Sequence, residues 1–244
     1  MNPEHRQSAY AVRCEWGLDA ARAVGENADI VVVVDVLSFT TCVAVAVERD
    51  IEVYPHRWCD DSAASLAREH DAVLAVGRSP AGPGEVSFSP SSIRAATGVR
   101  RLVLPSPNGS TIVHALSQGG ATVLAASLRN GRAVGEWIAQ RPGATVAVIP
   151  SGERWPDGAL RPAVEDLWGA GAVIDGLPGR LSPEAETARA AWRSVSAAPA
   201  DALRGCASGR ELIALGFGDD VEVAGEVGVT TVVPVLDGGR FRAG

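Results

Sequence analysis

The sequence predicts an α/β fold, a largely parallel sheet covered by helices on both faces and followed by a smaller C-terminal α/β portion. Short β-branched runs alternate with Ala- and Leu-rich segments of helical length. Several of these runs are apolar throughout, as strands are when both faces are covered. Small hydroxyl, amide and Gly residues follow two of them, the turn chemistry that leads from a strand into a helix.

In chain order, the first strand is 30–34 (IVVVV), closed by Asp35, and Thr40 opens a helix over 40–48. Strand 51–54 (IEVY) leads to helix 62–70, and strand 72–76 (AVLAV) runs into residues 78–90, where Pro and Gly cluster. Strand 101–104 (RLVL) meets helix 111–117 through PSPNGS. Strand 121–125 precedes helix 129–140, and strand 144–149 (ATVAVI) enters a second Pro- and Gly-rich connection at 150–162. Helices follow at 164–175, 183–194 and 210–215, and a last strand at 231–235. Connections this long in a compact α/β chain carry function more often than not. The 244 residues are expected to form a single unit, with a subdivision at the Pro-flanked stretch near 177–200 as the alternative.

Bulk properties narrow the function. A formal net charge of −7 and a pI near 5.2 oppose non-specific nucleic-acid binding, which depends on clustered cations. All 22 basic residues are Arg. No basic start with an apolar core appears at the N-terminus, and the apolar run 30–34, stopped by Asp35, is far short of the roughly 20 residues of a membrane span. A soluble cytoplasmic protein is expected. Cys14, Cys42, Cys59 and Cys206 show no zinc or disulfide spacing, and the four His residues fall singly. Neither GxGxxG nor GxxxxGK[ST] occurs, which counts against a nucleotide-dependent enzyme.

Three stretches place chemistry at strand ends, where open α/β sheets bind ligands. At 31–41, Asp35 ends a strand, and Thr40 and Thr41 open a helix; a carboxylate there suits Mg²⁺, although Asp also serves as a helix cap. At 104–111, Ser106, Asn108, Gly109, Ser110 and Thr111 lie between a strand and a helix, a setting for phosphate. At 149–171, Ser151 and Gly152 follow a strand, and Glu165 and Asp166 start a helix. Acidic residues at a helix start also fit the dipole alone. If the strands run parallel, Asp35, Glu165 and Asp166 share one edge beside the phosphate loop and make a hard-cation site. Arg78, Arg94 and Arg129 are candidates for anion binding, Ser89 for a further hydroxyl, and Asn130 lies beside Arg129.

At these residues the chain resembles the 2-phosphosulfolactate phosphatase family. Asp35-Val-Leu-Ser-Phe-Thr-Thr41 is similar to a strand-end Asp-Val-Leu-Arg-Ala-Thr/Ser-Thr motif, Phe88-Ser-Pro90 to a Gly-Asn-Ser-Pro loop, and Ser106-Pro-Asn-Gly-Ser-Thr111 to a Ser-Asn-Gly-Thr loop. Asn130, Ser151-Gly152, Glu165-Asp166 with Gly169-Ala-Gly171, Ser208–Leu212, Gly216–Val221 and Val233–Leu236 resemble further family elements in the same order. The resemblance implies Mg²⁺-dependent hydrolysis of a small phosphate ester, (2R)-phospho-3-sulfolactate giving (2R)-3-sulfolactate and phosphate, a step towards coenzyme M. A homodimer is expected as the commonest assembly of such enzymes. Ser38 and Phe39 stand where the family usually has Arg and a small residue, and Ser87 and Phe88 where it has Gly-Asn. These departures bear on the substrate, and a phosphoester-binding protein without turnover is the competing reading.

Overall fold

Five apolar residues in a row are stable as a strand where both faces are covered, and all five residues of Ile30–Val34 are buried. The computed structural model describes residues 2–79, 81–82 and 84–244. The first half of the chain forms β1 (Val12–Cys14), α1 (Gly17–Val24), β2 (Ile30–Val34), α2 (Phe39–Glu48), β3 (Glu52–His56), α3 (Asp61–Glu69), β4 (Val73–Leu74), α4 (Pro90–Ala95), β5 (Arg101–Pro105), α5 (Gly109–Leu116), β6 (Thr122–Ala126) and α6 (Gly131–Ala139). The second forms β7 (Val146–Pro150), β8 (Glu153–Arg154), β9 (Leu160–Arg161), α7 (Val164–Ile174), α8 (Pro183–Val195), α9 (Pro199–Gly205), α10 (Ala207–Ala214), α11 (Gly218–Ala224), β10 (Pro234–Asp237) and β11 (Arg240–Ala243).

Nine strands make one mostly parallel sheet in the order β1-β7-β2-β6-β10-β11-β3-β5-β4. β1, β7, β2 and β6 are parallel to one another, as are β3, β5 and β4. The antiparallel hairpin β10–β11 joins the two groups. The C-terminal segment therefore sits in the middle of the sheet. Val34 lies opposite both Ala126 and Pro150, so β2, β6 and β7 finish level and present Asp35, Ser127 and Ser151 side by side.

Alternation along β2 divides the core. Val31 and Val33 pack in one cluster with Val43 of α2 and Ile112 of α5. Ile30, Val32 and Val34 pack in the other with Trp168 of α7 and Trp192 of α8. The first cluster also takes in Val53, Leu102 and Phe241, and Phe39 meets Phe241 edge to face at 6.4 Å, so α2 binds both strand groups.

The expected elements are present with shifted ends. The strand expected at 72–76 shortens to Val73–Leu74, and that expected at 231–235 begins at Pro234, which has no N–H to give the ladder. The helix expected from 129 starts at Gly131, because Asn130 ties the preceding loop together. β1 is three residues long around an Arg, α1 opens on Gly17 at φ +72° without a side-chain cap, and α4 starts at the end of the 78–90 connection, capped by Ser89. β1 and α4 are too short to show the periodicity that sequence reading depends on, and α1, though amphipathic, lacks a capping residue to mark its start. Pro80 and Pro83 of that connection lie outside the described residues. Among the described residues, no helix is long and apolar enough to cross a membrane. Cys14, Cys42 and Cys206 are buried free thiols, and Cys59 is exposed.

Candidate active site

The end of β2 is built around Asp35. Thr40 Oγ1 accepts from Asp35 N–H at 2.9 Å and donates to the Asp35 carbonyl at 2.8 Å, and Thr41 Oγ1 donates to the Val36 carbonyl at 2.7 Å. Both threonine hydroxyls thus shape the turn. Phe39 N–H donates to Asp35 Oδ1 at 3.1 Å, so Asp35 does meet the start of α2 as a cap would. Its other oxygen faces Gly109: a Cβ there would lie 2.9 Å from Oδ2 and collide with the Phe39 ring. Glycine is what lets the loop after β5 reach the loop after β2.

Asp166 ties three segments together. Its Oδ1 accepts from Val36 N–H at 2.7 Å, and its Oδ2 from Gly152 N–H at 2.9 Å. Gly152 holds φ +68°, and its hypothetical Cβ would fall 2.7 Å from Leu160. Glu165 is buried next to the thiol of Cys206, which burial and the Glu165 charge push up to about 12. The helix dipole alone does not account for this pair of acids, because Asp166 bonds across 130 residues.

Burial first, and neighbouring carboxylates after it, raise Asp35, Asp166 and Glu153. Burial pushes Asp35 up to about 7, with Glu153 and then Glu165 adding, while the N–H groups of Phe39 and Gly109 oppose. Burial, Asp35 and Glu165 hold Asp166 well above its ordinary range. Glu153 is raised too, by burial first and by Glu165, against the pull of Arg161 and a 2.9 Å bond from Asn108 Nδ2. Buried like charges without a cation among them are costly, and such clusters mark functional sites.

A cleft of roughly 380 Å³ opens between α1, the start of α5 and the hairpin β8–β9; of the raised carboxylates only Glu153 lines it, and Asp166 reaches its wall through Gly152 N–H. Asn108, Thr111, Ser151, Gly152, Glu153 and Arg154 line it. Ser151 Oγ is buried and, among the described residues, has no hydrogen-bond partner. An unfilled buried hydroxyl beside a cleft suits a ligand oxygen or a water.

Other sequence candidates are engaged within the fold. Ser110 Oγ donates to the Leu104 carbonyl at 3.4 Å and Thr111 Oγ1 to the Pro107 carbonyl at 2.6 Å; Ser106 is buried at the end of β5. Gly109 N–H serves Asp35, so part of the expected anion cradle is spent on a carboxylate. Arg78 pairs with buried Asp220 at 2.8 Å and reaches Ser38 Oγ at 2.5 Å, while Ser89 Oγ donates to the other Asp220 oxygen at 2.5 Å. Arg129 bonds Glu48 and Glu226, and Arg94 grips Glu226 with two nitrogens. Asn130 is fully buried and spends its amide on Ser127, Ala125 and Val232. Sequence reading missed Glu153 and Arg161, whose nearness to the site comes from the hairpin. Ser151-Gly152-Glu153-Arg154 leaving a strand was the available signal.

The donor set fits a hard cation. Asp35, Glu165 and Asp166 offer only oxygen, and their mutual repulsion is what a divalent ion relieves. Among the described residues, no three His, Cys, Asp or Glu side chains form a ready-made metal cage.

A family model described as 2-phosphosulpholactate phosphatase matches residues 19–239. A protein of Thermus thermophilus named "Probable 2-phosphosulfolactate phosphatase" is 29% identical over 218 residues, covering 86% of this chain and 89% of that protein. One of Methanothermobacter thermautotrophicus named "2-phosphosulfolactate phosphatase" is 29% identical over 217 residues, 89% of this chain and 91% of its own. One of Carboxydothermus hydrogenoformans, again named "Probable 2-phosphosulfolactate phosphatase", is 31% identical over 214 residues, 84% of each. With the match spanning all three strand-end loops that assemble the site, the chain belongs to the 2-phosphosulfolactate phosphatase family.

Proposed function

We propose that this protein is a Mg²⁺-dependent phosphatase of the cytoplasm that hydrolyses a small anionic phosphate monoester, (2R)-phospho-3-sulfolactate to (2R)-3-sulfolactate and phosphate, in a pathway of coenzyme M type. Residues 1–244 act as one functional unit, and a homodimer is the proposed assembly. The observation that carries the reading is the set of buried carboxylates at the end of β2 and the start of α7, joined through Gly152 to the wall of a cleft that Asn108, Ser151 and Glu153 line.

Asp35 with Glu165 or Asp166 would hold the ion, and a bound divalent cation neutralises phosphoryl charge and activates water. The chain's own part is positioning. Asn108 holds Glu153 at the cleft wall, Ser151 Oγ has an open hydrogen-bonding position, and Gly152 keeps Asp166 aligned. Attack of water on phosphorus breaks the P–O ester bond, and the departing oxygen takes up a proton. Glu153, on the wall and raised above its usual range, is placed to exchange that proton with solvent.

Arg78 donates to Ser38 where the family usually has Arg, which supports a second reading with a divergent phosphate ester as substrate. The test is phosphate release from phosphosulfolactate and a panel of small esters, each with Mg²⁺ and with chelator. Metal-dependent release from phosphosulfolactate supports the first reading, and release confined to another ester the second. Binding of these esters without release from any would overturn both in favour of a non-catalytic binder.

A further inference from the structure

Ser38 stands at the start of α2, where a serine commonly caps a helix, yet its hydroxyl takes no helix N–H. It is buried, and among the described residues its one side-chain partner is Arg78, whose Nη2 donates to it at 2.5 Å. The hydroxyl therefore serves the guanidinium and not the helix. Arg78 is itself fixed in place. Its Nε donates to Asp220 Oδ2 at 2.8 Å, and its guanidinium lies over the rings of Phe88 and Phe217 at 5.3 and 5.7 Å. Asp220 is buried at the start of α11, and its other oxygen accepts from Ser89 Oγ at 2.5 Å, Ser91 Oγ at 2.7 Å and Ser91 N–H at 3.2 Å. A planar fork held by such an acid has little freedom to turn.

On the other side of Ser38 lies the carboxylate at the end of β2. The next N–H along the chain, that of Phe39, donates to Asp35 Oδ1 at 3.1 Å. The buried thiol of Cys42, one turn into α2, registers the same grouping: burial pushes it up, Arg78 opposes, and Asp220 and Asp35 add. Asp220, Arg78, Ser38 and Phe39 thus form a continuous set of contacts that runs from α11 to Asp35.

We infer that Asp220 and Arg78 are positioning residues for the reaction, acting on Asp35 through Ser38 and the Phe39 N–H. The inference rests on the phosphatase reading for the word reaction. One Asp35 oxygen is bound by Phe39 N–H and the other faces Gly109, so a shift of the 38–39 peptide displaces the whole carboxylate. Groups that orient a metal-binding side chain are worth about 10- to 100-fold in metal affinity or turnover. Arg78 touches no substrate in this scheme; its effect passes through the turn that carries Asp35.

Ser38→Ala breaks the relay at its last side chain and leaves the Arg78–Asp220 pair whole, so its Tm without metal should stay near that of the wild type. Its kcat for phosphosulfolactate should fall about 10- to 100-fold with KM little changed, and the rise in Tm produced by Mg²⁺ should shrink. Arg78→Lys keeps a charge for Asp220 but loses the fork that reaches Ser38 at the same time, and should lower kcat and the Mg²⁺ response in the same way. Wild-type kcat together with a wild-type Mg²⁺ response in Ser38→Ala would overturn the inference. So would an Arg78→Lys protein that loses Tm while kcat per folded molecule holds, since the network would then only fasten the fold. Absence of phosphate release from every ester removes the phosphatase reading alone. In that case a Mg²⁺-induced rise in Tm that Ser38→Ala reduces upholds the relay, and a wild-type chain that Mg²⁺ does not stabilise overturns it.

Discussion

Two charged clusters, each with a buried centre, invite comparison. At the end of β2 and the start of α7, Asp35, Glu165 and Asp166 lie together with, among the described residues, no Arg paired to them, and Asp35 and Asp166 are pushed upward. Around Arg129, by contrast, Glu48 and Glu226 answer the charge, Arg94 joins from the rim, and Glu226 is held below its usual range by Arg94 and Arg129. Both clusters join distant segments, yet one is compensated and the other is not. Burying charge is tolerated where partners are supplied. Where they are absent, the fold carries a cost that a ligand can relieve, so the uncompensated cluster is the functional one.

Asp35→Asn should break this contrast most sharply. Activity should fall about 10⁴-fold, roughly 5 kcal/mol of transition-state stabilisation, as metal binding and charge neutralisation are lost. Stability should move the other way. The folded chain keeps a proton on Asp35 to about pH 7, whereas the unfolded chain releases it near 3.8. The contribution is therefore complete below about pH 4 and lost as pH rises through 7. In chelator at pH 8 the variant should melt above the wild type, and at pH 4 the advantage should vanish. Full Mg²⁺-dependent activity in the variant would remove Asp35 from the site.

Arg129→Met tests the other cluster. It takes the cation from Glu48 and Glu226, but both are more than a third exposed and Glu226 keeps Arg94, so folding should weaken by about 1–3 kcal/mol, chiefly through the buried polar groups left unmatched. For a chain of this size that is roughly 2–12 °C in Tm. The kcat/KM per folded molecule should hold at the wild-type value. A variant with normal Tm but depressed kcat/KM would reverse the assignment of the two clusters.

How far this contrast is legible before folding depends on the residue. Asp35 stands out because an apolar run must end somewhere, and a carboxylate at that end has few structural excuses. Asp166 is readable as acidic at a helix start, but its bonds to Val36 and Gly152 are not. Arg78 and Arg129 look equally available in sequence, and only partners 142 and 97 residues away decide otherwise. Glu153 and Arg161 fall in a Pro- and Gly-rich stretch whose two-residue strands are too short to show a period. The parallel strands were legible because their apolar runs are continuous. β11 (Arg240–Ala243), half of it Arg and with one fully buried residue, was not.

Metal linkage gives a milder test of the uncompensated cluster. Asp35 must release its proton to bind Mg²⁺, so apparent affinity should climb about tenfold between pH 6 and pH 8 and then level off. Mg²⁺-induced rise in Tm, followed across that range, reads this directly. Asp35→Asn should flatten the dependence. An affinity independent of pH in the wild type would mean that the ion is held by groups already ionised at pH 6.

The smallest effect should come from the rim of the compensated cluster. Arg94 meets Glu226 with two nitrogens, the same fork that makes buried pairs strong, but its side chain is 40% exposed against 3% for Arg129. Water already solvates much of Arg94, and Glu226 keeps Arg129 when Arg94 is removed. Arg94→Gln should therefore cost no more than about 1 kcal/mol, a few degrees in Tm, against about 1–3 kcal/mol for Arg129→Met. If the two variants lost equal stability, the energy of the cluster would lie in the three-body arrangement rather than in burial. The Arg94/Arg129 double variant would then lose much less than the sum of the two.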